Sequence, residues 1–119
     1  MVSRTLSEIV LDLNKLQETL AEANPKGQVI QKMFLTLQQR FQNHLLPAIA
    51  ADDQKQAQVQ PLLTEINRSL RLLGMDVAFL QTARRSTKFQ QRQKQMGDRI
   101  IQLQNFCDGL QQQLEDTEA

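Results

Sequence analysis

The sequence predicts an all-α protein, an antiparallel helical bundle of about four helices, on three observations. Gly and Pro are scarce, 4 and 3 in 119 residues, too few for a loop-rich β fold. Hydrophobic residues make up 40% and charged residues 23%, which supplies a core and argues against disorder. Leu, Ile, Val and Met recur at steps of three and four, the spacing of one helix face. A chain of this length forms one domain, residues 1–119. Trp and Tyr are absent and 5 Phe are the only aromatics, so the core falls mainly to aliphatic side chains.

The first helix is predicted to start at Thr5, whose hydroxyl caps the leading amides while Glu8 reaches back in a capping box. Its stripe is Leu6, Ile9, Leu13, Leu16 and Leu20. Asn24 and Pro25 read as the N-cap and first position of a second helix, because Pro lacks an amide that would be unsatisfied there. That helix carries Ile30, Met33, Phe34, Leu37, Phe41 and Leu45, until Pro47 kinks or ends it near Leu46. Asp52 to Gln60 is polar, either a connection or a solvated helical turn before Pro61.

From Pro61 a third helix follows through Leu63, Ile66, Leu70, Leu73, Val77 and Leu80. Its Gly74 costs about 1 kcal/mol relative to Ala and is a candidate for close helix packing. Arg84, Arg85 and Ser86 suit a helix end and a short connection. The fourth helix is expected from about Thr87 to Gln113. Its seam is Phe89, Met96, Ile100, Leu103, Cys107, Leu110 and Leu114, which alternates by four and three from Met96 onward as in a coiled coil. Short connections favour antiparallel neighbours. About one residue in six is Gln. Gln90, Gln91, Gln93, Gln95, Gln102 and Gln104 are interleaved with the helical period and read as a neutral solvated face, since Gln is a good helix former.

The residues of a catalytic site are missing. His44 is the only imidazole and Cys107 the only thiol, so a Cys/His zinc site is two ligands short. A dyad of the two is disfavoured because Cys107 lies in the apolar seam, where a thiol is an inert small hydrophobe. Gly27, Gly74, Gly97 and Gly109 stand singly, without a phosphate-binding loop. Glu115, Asp116 and Glu118 read as a solvated acidic tail. The expectation is no catalytic residue, metal, cofactor or small-molecule substrate. Glu8, Asp12, Asn14 and Lys15 interrupt Met1 to Leu20, so it is not read as a signal peptide, and no apolar run approaches the roughly 20 residues of a membrane span. Cytoplasmic residence is expected, in keeping with a cysteine that has no disulfide partner.

Charge is distributed unevenly. Arg68, Arg71, Arg84, Arg85, Lys88, Arg92, Lys94 and Arg99 stand against Asp76 and Asp98, a net +6 in this stretch, which leaves −5 elsewhere for an overall +1. Because Arg84 to Arg92 straddles the last connection, a basic cluster is expected at one end of the bundle. Two readings compete: ordinary solvated cations paired with Asp76, Asp98 or Glu65, or a partner-binding patch with Arg84, Arg85, Lys88 and Arg92 as its residues. Nucleic acid is disfavoured, because the overall charge is small, no aromatic stacking set accompanies the arginines and no helix-turn-helix pattern is evident. An amphipathic membrane-surface helix is weaker still.

The run Met75-Asp76-Val77-Ala78-Phe79-Leu80-Gln81-Thr82-Ala83-Arg84, then Gln90-Gln91-Arg92, then Asp98-Arg99-Ile100-Ile101-Gln102-Leu103 to Phe106-Cys107, resembles the cyanobacterial heterocyst frequency control (PatD) family. The resemblance covers the C-terminal half; the first half agrees in helical character and length only. It implies a small regulator in filamentous cyanobacteria that limits how often cells differentiate, and that interacts with the tubulin-like division protein FtsZ and alters its assembly. It supplies no catalytic motif and no residue-level partner surface, so the four basic residues rest on charge and exposure alone. An acidic FtsZ would complement them. The runner-up is a helical adaptor or assembly subunit for another complex, such as a coiled-coil oligomer with the last seam paired between chains. A nucleic-acid-binding regulator ranks below it, and the sequence leaves the oligomeric state open.

Overall fold

The computed structural model describes residues 2–22, 25–82 and 86–118. The leucine stripe of the first helix is buried as expected, with Leu6, Ile9, Leu13, Leu16 and Leu20 lining one face of α1 (Val2–Leu20). The helix starts three residues ahead of Thr5, so Thr5 is a helical residue and no capping box forms there. Glu8 faces the next rod instead: its Oε2 accepts from Arg40 Nη1 at 2.5 Å, and Asp12 Oδ2 accepts from Arg40 Nε at 2.8 Å. A guanidinium is a stronger partner for a carboxylate than a backbone amide.

The second helix also starts elsewhere than predicted. α2 (Gly27–Arg40) follows Lys26, which sits at the N-cap with extended backbone and no side-chain cap. Pro25 precedes the helix and is buried, and Asn24 lies outside the described residues. Gly27 suits this start, because a Cβ there would lie 2.8 Å from the amide of Gln81, whose Nε2 donates to the Gly27 carbonyl at 2.5 Å.

Pro47 neither ends the rod nor stands as its break. The helix passes through a π turn (Phe41–Leu45) into α3 (Leu46–Ala50), and the Leu46 amide donates to the Phe41 carbonyl, five residues back. The core positions explain the turn. Leu37, Phe41, Leu45 and Ile49 are all buried and all four apart, which in a regular helix at about 100° per residue would rotate Ile49 about 120° away from Leu37. A π turn absorbs one extra residue and returns Ile49 to about 20° of the seam. Pro47 fits immediately after it, since its missing amide would otherwise serve the carbonyl of Asn43.

The third helix begins eight residues ahead of Pro61. In α4 (Asp53–Thr82) the polar segment is helical. Asp52 Oδ1 accepts from the amides of Gln54 and Lys55 at 3.0 and 3.2 Å, an N-cap. Val59, 0% exposed, extends the seam of Leu63, Ile66, Leu70, Leu73, Val77 and Leu80 by one more step of four. Pro61 is tolerated because it and Ala57, whose carbonyl loses its donor, are both exposed to solvent. α5 (Ser86–Glu118) carries the predicted seam: Met96, Ile100, Leu103, Cys107, Leu110 and Leu114 are buried, and Phe89 packs partly buried against them.

The rods form a square. α1 packs on α2 and α5, and α4 packs on α2 and α5, with α3 continuing along α4. Neighbours run antiparallel: Phe34 of α2 meets Gly74 of α4, Asp76 of α4 meets Arg99 of α5, and Gln104 of α5 meets Asn14 and Gln17 of α1. The extents are 50 × 19 × 18 Å, the long axis matching a 30-residue helix of about 45 Å. One hydrophobic cluster draws on every rod, and each fully buried Leu or Ile contributes roughly 1.5–3 kcal/mol. Gly74 is indeed a close-packing position, because a Cβ would come within 3.0 Å of the Phe34 ring.

Two expectations change in this setting. The α5 seam, which the coiled-coil reading would pair between chains, lies here inside the chain's own core. Glutamines also do more than cover a solvated face: Gln93 donates to the Leu20 carbonyl and Gln104 to Asn14 Oδ1 at 2.7 Å, tying α5 to α1. Gln90, Gln91, Gln95 and Gln102 are exposed as predicted. Among the described residues no helix is long and apolar enough to cross a membrane.

Candidate partner-binding surface

Antiparallel packing gathers the cations at one end of the bundle. The second half of α4 lies beside the first half of α5, and α2 lies along α4, which brings in Lys26 and Lys32. These two are far from the basic stretch in sequence, and α2 contains no acidic residue. A waist can be drawn between Asp12 and Lys15, Lys32 and Arg40, Glu65 and Arg68, and Arg99 and Asp108. Among the described residues, the half toward the α4–α5 connection then carries nine Lys or Arg against four Asp or Glu, about +5. The other half carries three against nine, about −6. The bundle is electrically polarised along its axis.

Of the four residues singled out from sequence, Arg84 and Arg85 lie outside the described residues. Lys88 is exposed on the first turn of α5. Arg92 is half-buried: its guanidinium carbon sits 4.3 Å from the centroid of the Phe79 ring, and Nη1 donates to Gln95 Oε1 at 3.4 Å. Arg92 is therefore held in place by a cation–π contact, worth about 0.5–1 kcal/mol at an exposed site. Arg68, Arg71 and Lys94 are exposed. Arg99 belongs to the structure rather than the surface, because its Nε donates to the buried Asp76 carboxylate at 2.6 Å. The reading of these cations as locally paired thus holds for Arg99.

Exposed apolar side chains accompany the cations, and periodicity alone did not single them out. Met75 is 55% exposed, Phe79 43% and Leu35 45%. The signal was present in the sequence: Met75 and Phe79 are four apart and lie off the seam through Leu73, Val77 and Leu80, which puts them together on the outer side of α4.

The rest of the molecule is poor in reactive groups. Cys107 is buried, and desolvation, with a smaller contribution from the charge of Asp108, pushes its thiol up to about 12. His44 is exposed on the π turn, so the two do not form a dyad. Among the described residues no three of His, Cys, Asp and Glu are grouped to hold a metal ion. A groove of about 400 Å³ between the π turn, α3 and the start of α4 is lined by uncharged residues, including Gln42, Pro47, Gln56 and Gln60.

Fold and surface together define a helical-bundle protein with a polarised exterior and a closed aliphatic core. The chain belongs to the CRR41 C-terminal domain family, whose model matches residues 6–105. That span takes in most of α1, all of α2 to α4, and α5 as far as Asn105. No curated protein and no solved structure matches the chain.

Proposed function

We propose that this bundle is a non-catalytic, cytoplasmic regulatory protein that binds FtsZ through its basic end, modulates FtsZ assembly and limits heterocyst frequency in a filamentous cyanobacterium. The observation that supports this reading is the segregation of charge, with Lys88 and Arg92 on α5 joined by Arg71 on α4 and Lys32 on α2. The likeness of Met75 to Arg84, Gln90 to Arg92 and Asp98 to Cys107 to the PatD family supports FtsZ as the partner. A basic surface raises the on-rate toward an acidic one and makes binding depend on salt.

The experiment is co-sedimentation of the purified protein with FtsZ polymerising in GTP, at two salt concentrations and with albumin as control. Pelleting that weakens with salt is the expected result. Failure to pellet, together with an unchanged amount of polymer, would reject FtsZ. A second reading, a helical adaptor for another complex, is supported by Leu11 of α1 and Ile101 of α5, large apolar residues exposed on rods other than α2 and α4. A nucleic-acid-binding regulator has no such support.

A further inference from the structure

The outer face where α2 meets α4 combines two features that seldom coincide on a solvated surface. Leu35 and Met75 emerge there at one level of the bundle, and Phe79 emerges one turn further along α4, on the side next to Arg92 of α5. Met75 and Phe79 share a stripe of α4, and half-buried Leu72 stands three residues before Met75. Leu35 follows Phe34, whose ring abuts Gly74, so Leu35 leaves α2 at the level of Met75.

Cations border this apolar level. Arg71, exposed, stands one turn before Met75, and Lys32, exposed, stands three residues before Leu35. Arg92 lies over the Phe79 ring. Carboxylates do not offset them on this side. α2 has none, and Asp76, next to Met75 in sequence, is buried and bonded to Arg99. Asp98 is exposed on α5, six residues beyond Arg92 and about 120° around the helix from it.

We propose that this face docks an acidic amphipathic segment of a protein, seating an apolar side chain among Leu35, Met75 and Phe79 and placing carboxylates against Lys32, Arg71 and Arg92. The inference deepens the reading of the bundle as a partner-binding module and rests on it. Charge complementarity selects an acidic segment over a neutral one. The exposed apolar group selects protein over nucleic acid, because a phosphate backbone has no use for three aliphatic or aromatic anchors, whereas a helix laid in a groove presents apolar residues at three- and four-residue spacing. Arg92 is already fixed over Phe79, so little side-chain freedom is lost when a carboxylate meets it.

The test uses the full chain and a fluorescein-labelled synthetic peptide with Leu at i, i+3 and i+7 and Glu between them. A scrambled peptide of the same composition and a single-stranded DNA oligonucleotide serve as controls, all read by fluorescence anisotropy. The expected result is binding of the patterned peptide, at least tenfold weaker for the scrambled one. Met75→Gln with Leu35→Gln should weaken it at least tenfold, as should Arg71→Glu, with the melting temperature of each variant near wild type. The inference is overturned if the scrambled peptide binds equally, if Met75→Gln with Leu35→Gln changes nothing, or if the oligonucleotide binds more tightly than the peptide. Sedimentation equilibrium adds a further arm: a wild-type dimer that Met75→Gln with Leu35→Gln dissociates would assign the face to a second copy of the chain and overturn the proposal.

The same variants separate this inference from the FtsZ reading. FtsZ pelleted equally by wild type and by Met75→Gln with Leu35→Gln, with no peptide binding, leaves the FtsZ reading standing and removes this one. Peptide binding that needs Met75 and Leu35, without any FtsZ binding, does the reverse.

Discussion

Replacing Arg99 by Ala should destabilise the bundle by about 3 kcal/mol, at the lower end of the cost of breaking a buried ion pair from one side. Asp76 is 3% exposed and Arg99 is 17% exposed at its side chain, with Nε and Oδ2 2.6 Å apart. Two unit charges at that distance attract by about 6 kcal/mol at an effective dielectric of 20, before desolvation is subtracted. Truncating Arg99 removes the attraction and leaves the desolvation of Asp76 uncompensated. Removing both charges, Asp76→Leu with Arg99→Met, leaves no buried charge and should cost less than Arg99→Ala alone. With total stability in the range of about 5–15 kcal/mol, the single variant loses a large share of it. Because the chain has no Trp and no Tyr, urea unfolding is followed by far-ultraviolet circular dichroism. A cost below about 1 kcal/mol for Arg99→Ala, or a double variant weaker than the single one, would refute the assignment of this pair as a buried, mutually dependent contact.

Two further predictions probe the π turn and the core thiol. Deleting Asn43, exposed within Phe41–Leu45, should convert the π turn to regular α-helix while keeping Ile49 in the seam. Unfolding should then show stability within about 1 kcal/mol of wild type, the scale of a tolerated local change, whereas deleting Gln38 from regular helix should be far more damaging. Equal damage from the two deletions would reject the one-residue-insertion account. Cys107, held up to about 12 from its ordinary 9.0 chiefly by burial, favours the folded state while protonated. Its contribution is complete below pH 9 and is lost as pH rises from 9 to 12, about 4 kcal/mol over three pH units. Cys107→Ala should show a shallower loss of stability over that window, and the native thiol should resist a thiol reagent at pH 8 until urea unfolds the chain.

The parts of the fold legible in the sequence are those written in local periodicity. The stripe Leu6 to Leu20 and the seam Met96 to Leu114 are both buried where three-and-four spacing placed them. Helix starts are less legible: the signals at Thr5, Pro25 and Pro61 do not coincide with the starts at Val2, Gly27 and Asp53. A cap or a helical Pro shifts the balance by about 1–3 kcal/mol, and burying Val59 or pairing Glu8 with Arg40 is of the same order. The end is then settled by what the neighbouring rod offers. The π turn is itself written in the sequence, because the run Leu37, Phe41, Leu45, Ile49 in steps of four cannot stay on one face of a regular helix.

The surface divides in the same way. That residues 68–99 are basic is plain from the sequence, but the partners of those cations are not. Arg99 is withdrawn by Asp76 and Arg92 is laid on Phe79, while Lys26 and Lys32 are brought to the same end from a distant segment. Arg84 and Arg85 remain sequence-derived members of the cluster, outside the described residues. By itself, then, the sequence determined that this chain is an all-α bundle with an aliphatic core and an uneven charge, because helical periodicity and composition are properties of contiguous residues. Only the tertiary structure decided where each helix begins, which charges are spent in pairs and which apolar side chains stand among free cations. Those outcomes depend on which helix faces meet, and antiparallel packing sets that between residues far apart in the chain.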